Sequence, residues 1–167
     1  MGSPNDAEPA NKFLKALRDL NVPYGVSNAS CHRNQDEFEK FILWLEADII
    51  VFIGGMSLAA PGFIRAILVA AKRFARLVFA IPLDAAARSA IEDLPAGTPV
   101  ITCGLNTVSV SHSITNSALA VGHIYALLGS EGAITGLGRW YANQRKEKPI
   151  VTDVELVDGL IPILKEK

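Results

Sequence analysis

Short apolar runs alternating with amphipathic helices predict an α/β fold, a doubly wound parallel sheet with helices on both faces. Three observations carry this. Residues 48–53, Asp48 and then unbroken apolar residues, end in Gly54-Gly55, the pattern of a buried parallel strand feeding a tight loop. A second buried run, 77–81, is closed by Pro82. Helix-period stripes stand on either side of both runs.

The elements follow in order. Residues 7–20 predict a helix, because Phe13, Leu14, Leu17 and Leu20 share one stripe. Asp6 is its expected N-cap, Pro9 is tolerated in the first turn, and Asn21-Val22-Pro23 stops it. Residues 24–29 predict a short strand leading to Ser30. Residues 34–46 predict a second helix, with Phe38, Phe41, Ile42 and Leu45 inward. Residues 62–73 and 85–91 predict further helices, 95–99 a turn and 100–103 another strand. Residues 113–128 predict a long helix rich in small residues. Residues 129–138, punctuated by glycine, predict a connector or weak helix, and 140–146 a helix. The tail, 151–167, carries one more amphipathic pattern. A doubly wound sheet also predicts a strand ending at Gly2-Ser3, whereas the sequence begins at Met1. That leaves a truncated sequence or another occupant of the slot, and residues 149–151 make a weak strand for that purpose.

Composition narrows the function. The chain has 167 residues, half of them hydrophobic and 20% charged, with a net charge of −1. A sizeable core is expected, and a nucleic-acid surface is not. The basic run at 145–148 reads as a solvated helix end. Cys31 and Cys103 are the only cysteines, which suits free thiols in a reducing compartment. Neither a secretion leader nor a run of about 20 apolar residues is present, so a cytoplasmic protein without membrane contact is expected. No cluster has metal-ligand spacing, and no metal or other cofactor is expected.

Two loops hold the chemistry. Gly2-Ser3-Pro4-Asn5-Asp6 and Ser30-Cys31-His32-Arg33 each join small hydroxyl residues to a charged or titratable group. Each sits where a strand should hand over to a helix, and such loops gather at the carboxyl ends of the strands, where ligands bind. Ser3, Ser30 and Arg33 can cradle a phosphate through hydroxyls, a helix N-terminus and a charge-assisted pair. Asp6 can accept ribose hydroxyls. Gly54 and Gly55 allow close backbone approach to a ring. His32 can carry a proton near neutral pH. The set suits a nucleotide monophosphate. Plainer readings stand beside it: Ser3 and Asp6 as a helix cap, His32 as a structural histidine, Arg33 in a surface ion pair. Cys31 and Cys103 read as small core residues. His112 and His123 lack a motif, and Trp44 and Trp140 read as core or interface residues.

These loops resemble the phosphoribosylaminoimidazole (AIR) carboxylase family, which includes the N5-carboxyaminoimidazole ribonucleotide mutases. That family's first loop reads Gly-Ser-x-Ser-Asp and its second Ser-Ala-His-Arg or Ser-Ala-His-Lys. Asn21-Val22-Pro23 and the spacing between the loops also match. A third family loop corresponds to Gly54-Gly55-Met56-Ser57-Leu58, closer to the CO2-using subclass, with Gly62 and Phe63 in register. The resemblance covers residues 1–128, and Trp140 matches a family tryptophan. It implies a flavodoxin-like three-layer αβα sandwich, an octamer with sites shared between subunits, and no cofactor. It implies a lyase or isomerase of purine biosynthesis that moves, adds or removes a carboxyl group on an aminoimidazole ribonucleotide, with CO2 or bicarbonate as co-substrate. His32 would be catalytic, and Ser57 would orient the carboxylate. Residues 129–167 would form a helical extension packing on a neighbouring subunit. The chain departs from the pattern at Asn5, Met56 and Leu58 and in a shortened stretch between residues 82 and 95. These departures keep a non-catalytic or altered-substrate nucleotide-binding paralogue in view. A serine hydrolase using Ser57, with Asp84 or Asp93 and then His112 or His123, is the remaining alternative, since Gly55-Met56-Ser57-Leu58-Ala59 follows a strand as a nucleophile elbow does.

Overall fold

A computed structural model describes residues 6–27, 30–31, 34–55, 60–73, 75–103 and 110–144. Helix α1 (Ala7–Asp19) buries Ala10, Phe13 and Leu17 along one stripe. Its end is a left-handed turn at Asn21, φ 56°. There the N–H groups of Leu20, Asn21 and Val22 return to the carbonyls of Ala16, Arg18 and Leu17. Asparagine tolerates that backbone better than most residues. Helix α2 (Gln35–Trp44) buries Phe38 and Ile42.

Strand β1 (Ile49–Gly54) pairs in parallel with β2 (Leu77–Pro82), in register from Ile49↔Leu77 to Gly54↔Pro82. Helix α3 (Ala60–Ala70) makes the crossover between them, and α4 (Ala85–Glu92) follows β2. Ile101 then joins β2 by a single parallel bridge to Phe79. The last two helices are α5 (Val110–Leu127) and α6 (Glu131–Gln144).

The sheet divides the core in two. Side chains of Ile53, Phe79 and Ile81 point to a cluster with Phe13, Leu17, Leu20, Ile114, Val121 and Leu137. Side chains of Ile50, Phe52, Val78 and Ala80 point the other way, to Phe38, Ile42, Ile64, Leu68 and Ile91. Helices α1, α5 and α6 therefore cover one face, and α2, α3 and α4 the other. Phe79, Ile81, Leu68 and Ile64 are at most 1% exposed, and each such side chain contributes about 1.5–3 kcal/mol of apolar burial.

Three expectations differ from what is seen. Residues 24–27 form no strand, and residues 100–103 contribute one bridge in place of a ladder. Residues 129–138 are no loose connector: with 139–144 they make the continuous α6, begun by Ser130, whose Oγ accepts from the Ala133 N–H at 3.3 Å. That helix packs against α5 of the same chain. The expected helix in the tail and the 149–151 segment lie outside the described residues. Among the described residues, no helix is long and apolar enough to cross a membrane.

Candidate functional site

Strand direction fixes where the loops gather. Leu45, just past α2, accepts hydrogen bonds from Arg73 (3.3 Å) and Arg76, which precede β2. The α2 C-terminus is thus held at the amino end of the sheet. The helix climbs along Ile50 and Phe52 through Phe38 and Ile42, so its N-terminus, preceded by Ser30-Cys31, lies at the carboxyl end. Ser30 accepts from the Asn34 N–H at 3.1 Å, which closes the turn into α2. Helix α1 places Leu20 against Gly122, well along α5, and Asn21 donates to the Gly132 carbonyl at 3.1 Å. Asp6, at the other end of α1, therefore lies on the carboxyl side as well. Gly54 and Gly55 close β1 there, and Gly54 accepts from the Leu83 N–H at 2.9 Å.

Four of the expected residues, Asp6, Ser30, Gly54 and Gly55, thus share one end of the sheet. Asp6 is 5% exposed. Asp6 occupies the expected N-cap position of α1, without a side-chain capping hydrogen bond to that helix. Ser3, His32, Arg33 and Ser57 lie outside the described residues, as do Asn5, Met56 and Leu58. Cys31 is buried in the α2–α3 core, and burial pushes its thiol pKa up. It is a small core residue rather than a nucleophile. Among the described residues, no group of His, Cys, Asp or Glu could hold a metal ion.

One carboxylate at this end was weighed from sequence only as a triad member. Asp84 caps α4, with Oδ1 accepting the Ala87 N–H at 2.7 Å. Its other oxygen reaches Gly55: a β-carbon added there would stand 2.8 Å from Oδ2. An Asp between a strand-ending Pro82 and an alanine-rich helix is a capping signal, and that was the sign to read. The hydrolase alternative gains nothing. Asp84 serves as a cap, while His123 Nε2 meets Tyr141 Oη at 3.0 Å on an exposed helix face.

A parallel sheet between two helical layers defines a flavodoxin-like α/β protein, and the hydroxyl, carboxylate and glycine groups collected at the carboxyl end of the sheet make that end the candidate ligand site. Residues 1–139 match the family model described as AIR carboxylase. The chain belongs to that family, which serves purine biosynthesis. It is 31% identical over 112 residues to the N5-carboxyaminoimidazole ribonucleotide mutase of Methanocaldococcus jannaschii, covering 64% of this chain and 67% of that protein. A probable mutase of the same kind from Methanobrevibacter smithii is 33% identical over 115 residues, covering 64% of this chain. This chain spans 32% of that relative's length. The crystal structure of Treponema denticola PurE shares the fold at TM-score 0.66 and 17% identity, covering 87% of this chain and 89% of that one.

Proposed function

We propose that the chain acts on an aminoimidazole ribonucleotide and moves, adds or removes a carboxyl group at a ring carbon. The family match over residues 1–139, which runs through both chemical loops, carries this reading. The gathering of Asp6, Ser30 and Gly54-Gly55 at the carboxyl end of the sheet supports it. In this reading Ser3, Ser30 and Arg33 hold the phosphate, and Asp6 takes the ribose hydroxyls. The glycine backbone approaches the ring, and Ser57 orients the carboxylate or CO2.

The chemistry asks for one proton carrier. Forming the new carbon–carbon bond leaves a tetrahedral ring carbon that bears both a hydrogen and the carboxylate. Loss of that proton restores the aromatic ring, and in the reverse direction its delivery permits decarboxylation. His32 is the group assigned to this transfer, because imidazole as a side-chain type ordinarily exchanges its proton near neutral pH. Assembly into a homo-oligomer, an octamer by family likeness, is part of the proposal. Leu127, Leu128 and Ile134, 57–87% exposed near the α5–α6 turn, supply apolar surface for it. Two free cysteines suit a cytoplasmic location.

His32→Asn tests the mechanism. Interconversion of the ribonucleotide with its carboxylated forms, followed by ultraviolet absorbance, is expected to fall by about 10²-fold or more. Calorimetric affinity for the ribonucleotide should stay within a few fold. Turnover like that of the unaltered protein removes His32 from the chemistry. Binding with no turnover by the unaltered protein favours a nucleotide-binding paralogue.

A further inference from the structure

Three arginines gather at the amino end of the sheet, away from the loops at its carboxyl end. Arg73 and Arg76, in the turn from α3 to β2, both donate to the Leu45 carbonyl at the end of α2, Arg73 at 3.3 Å. Arg65, on α3, donates to the Arg76 carbonyl at 2.9 Å. Two guanidinium groups within hydrogen-bond reach of one oxygen put like charges side by side. A guanidinium carries several N–H donors, and each of these three engages one carbonyl. The Arg65 Nε is buried without a hydrogen-bond partner, and all three side chains are half-buried. Among the described residues the ion pairs are Lys12–Glu8 and Lys15–Asp19, both on α1, so no carboxylate answers the cluster. Glu46 and Asp48, close to Leu45 in the chain, are exposed and pair with none of the three. The carboxyl ends of α2 and α3 offset about half a charge each, which leaves an excess of positive charge. A partly desolvated charge without a counter-charge is costly.

We propose that Arg65, Arg73 and Arg76 form a binding site for a phosphoryl dianion, separate from the site assigned to the ribonucleotide. Three features select that ligand. Guanidinium N–H pairs match phosphate oxygens bidentately and hold them more strongly than they hold a neutral carbonyl. The guanidinium groups are already fixed by the Leu45 and Arg76 backbone, so little side-chain freedom remains to be lost on binding. Half-buried donors admit a compact anion, whereas a flat macromolecular partner requires exposed ones. A bound dianion takes up the free N–H groups and supplies the missing negative charge. Trp44, which directly precedes Leu45, is 87% exposed, and its indole reports on this corner of the molecule. The sheet separates this end from the chemistry assigned to His32, so either reading can fail without the other.

Trp44 and Trp140 are the only tryptophans, so Trp140→Phe leaves Trp44 as the single fluorescent reporter. Its emission is titrated with orthophosphate, pyrophosphate and ribose 5-phosphate at about 0.15 M ionic strength, with NaCl of matched ionic strength as the blank. A saturable change with Kd below about 1 mM is expected for at least one of the three, and their order tells free phosphate from a phosphate ester. Arg73→Gln and Arg76→Gln should each weaken binding at least roughly tenfold. Arg33→Gln, aimed at the ribonucleotide phosphate, should leave the Trp44 titration unchanged. Loss of Arg73 or Arg76 also frees the end of α2, so a second measurement uses a milder change that keeps the charge and removes the planar fork. The anion should raise the Tm of the Arg33→Gln protein and raise it much less once Arg73→Lys or Arg76→Lys is added. A Trp44 response no larger than the NaCl blank overturns the proposal. So does a response that both glutamine variants retain, or one that Arg33→Gln abolishes.

Discussion

Gly136→Ala sets helix propensity against packing, and the structure decides which wins. In mid-helix, alanine is favoured over glycine by about 1 kcal/mol, so local reasoning expects a more stable protein. A β-carbon at Gly136, however, would stand 2.3 Å from the Leu20 carbonyl oxygen, 2.5 Å from its carbon and 2.6 Å from its Cα. Ordinary contacts of this kind lie near 3.3–3.5 Å, so α6 must withdraw by about 1 Å. The opposing atoms are backbone at the α1 terminus and cannot rotate away. Withdrawal loosens Ala133 and Leu137, which are 0% and 6% exposed, and stretches the bond from Asn21 to Gly132. Overpacking of this sort costs about 1–3 kcal/mol or more, and little remains of the propensity gain. Gly138→Ala is the control. It lies in the same helix with nothing within 4 Å of the added carbon, so it should gain about 0.5–1 kcal/mol. The propensity gain is common to both variants, so at about 2–4 °C per kcal/mol for a domain of this size the overpacking cost should separate them by roughly 2–12 °C in Tm. Thermal and urea unfolding read this directly. Equal stability of the two variants would refute the claim that α1 and α6 meet backbone to side chain at this point.

Other outcomes follow from single contacts. Gly55→Ala should displace the Asp84 carboxylate and cost about 0.5–2 kcal/mol, the worth of a helix cap. Once Asp84→Ala is present, the same change should cost much less, as a double-mutant cycle in urea would show. Lys72 sits at φ 57° after α3, so Lys72→Gly should stabilise by about 1 kcal/mol in the same assay. Burial raises the Cys31 thiol above its ordinary 9.0. Its folded pKa exceeds its unfolded one, so its contribution is complete below pH 9.0 and falls away as pH rises through the folded value. Urea midpoints should therefore drop above pH 9.0, and Cys31→Ala should flatten that drop.

How far the sequence carried each element depends on where its partners come from. Helix α1 and strands β1 and β2 were legible because their own side chains report burial: a one-sided stripe in the first, uninterrupted apolar residues in the others. Residues 24–27 offered strand-like composition, but a strand is defined by its neighbour, and among the described residues β1 pairs with β2 alone. The same limit reduced 100–103 to the bridge at Ile101. At the site, glycine, hydroxyl and carboxylate positions were legible because motif and strand end coincide. The use of Asp84 was not, since its capping oxygen and its reach toward Gly55 depend on a turn geometry that no spacing states.

The glycines of α6 mislead in the opposite sense. Gly132, Gly136 and Gly138 read as punctuation that should weaken a helix, and propensity alone agrees. Gly136 is present because the Leu20 carbonyl occupies the space where its side chain would be. The apparent breaker is the condition for α6 to lie against the end of α1, and so for the turn at Asn21 to be held from two sides. Helix α1 in turn carries Asp6 at its other end. A residue that looks like a flaw in the last described helix therefore helps fix the register of the helix that carries Asp6, which links packing at the amino end of the sheet to geometry at its carboxyl end.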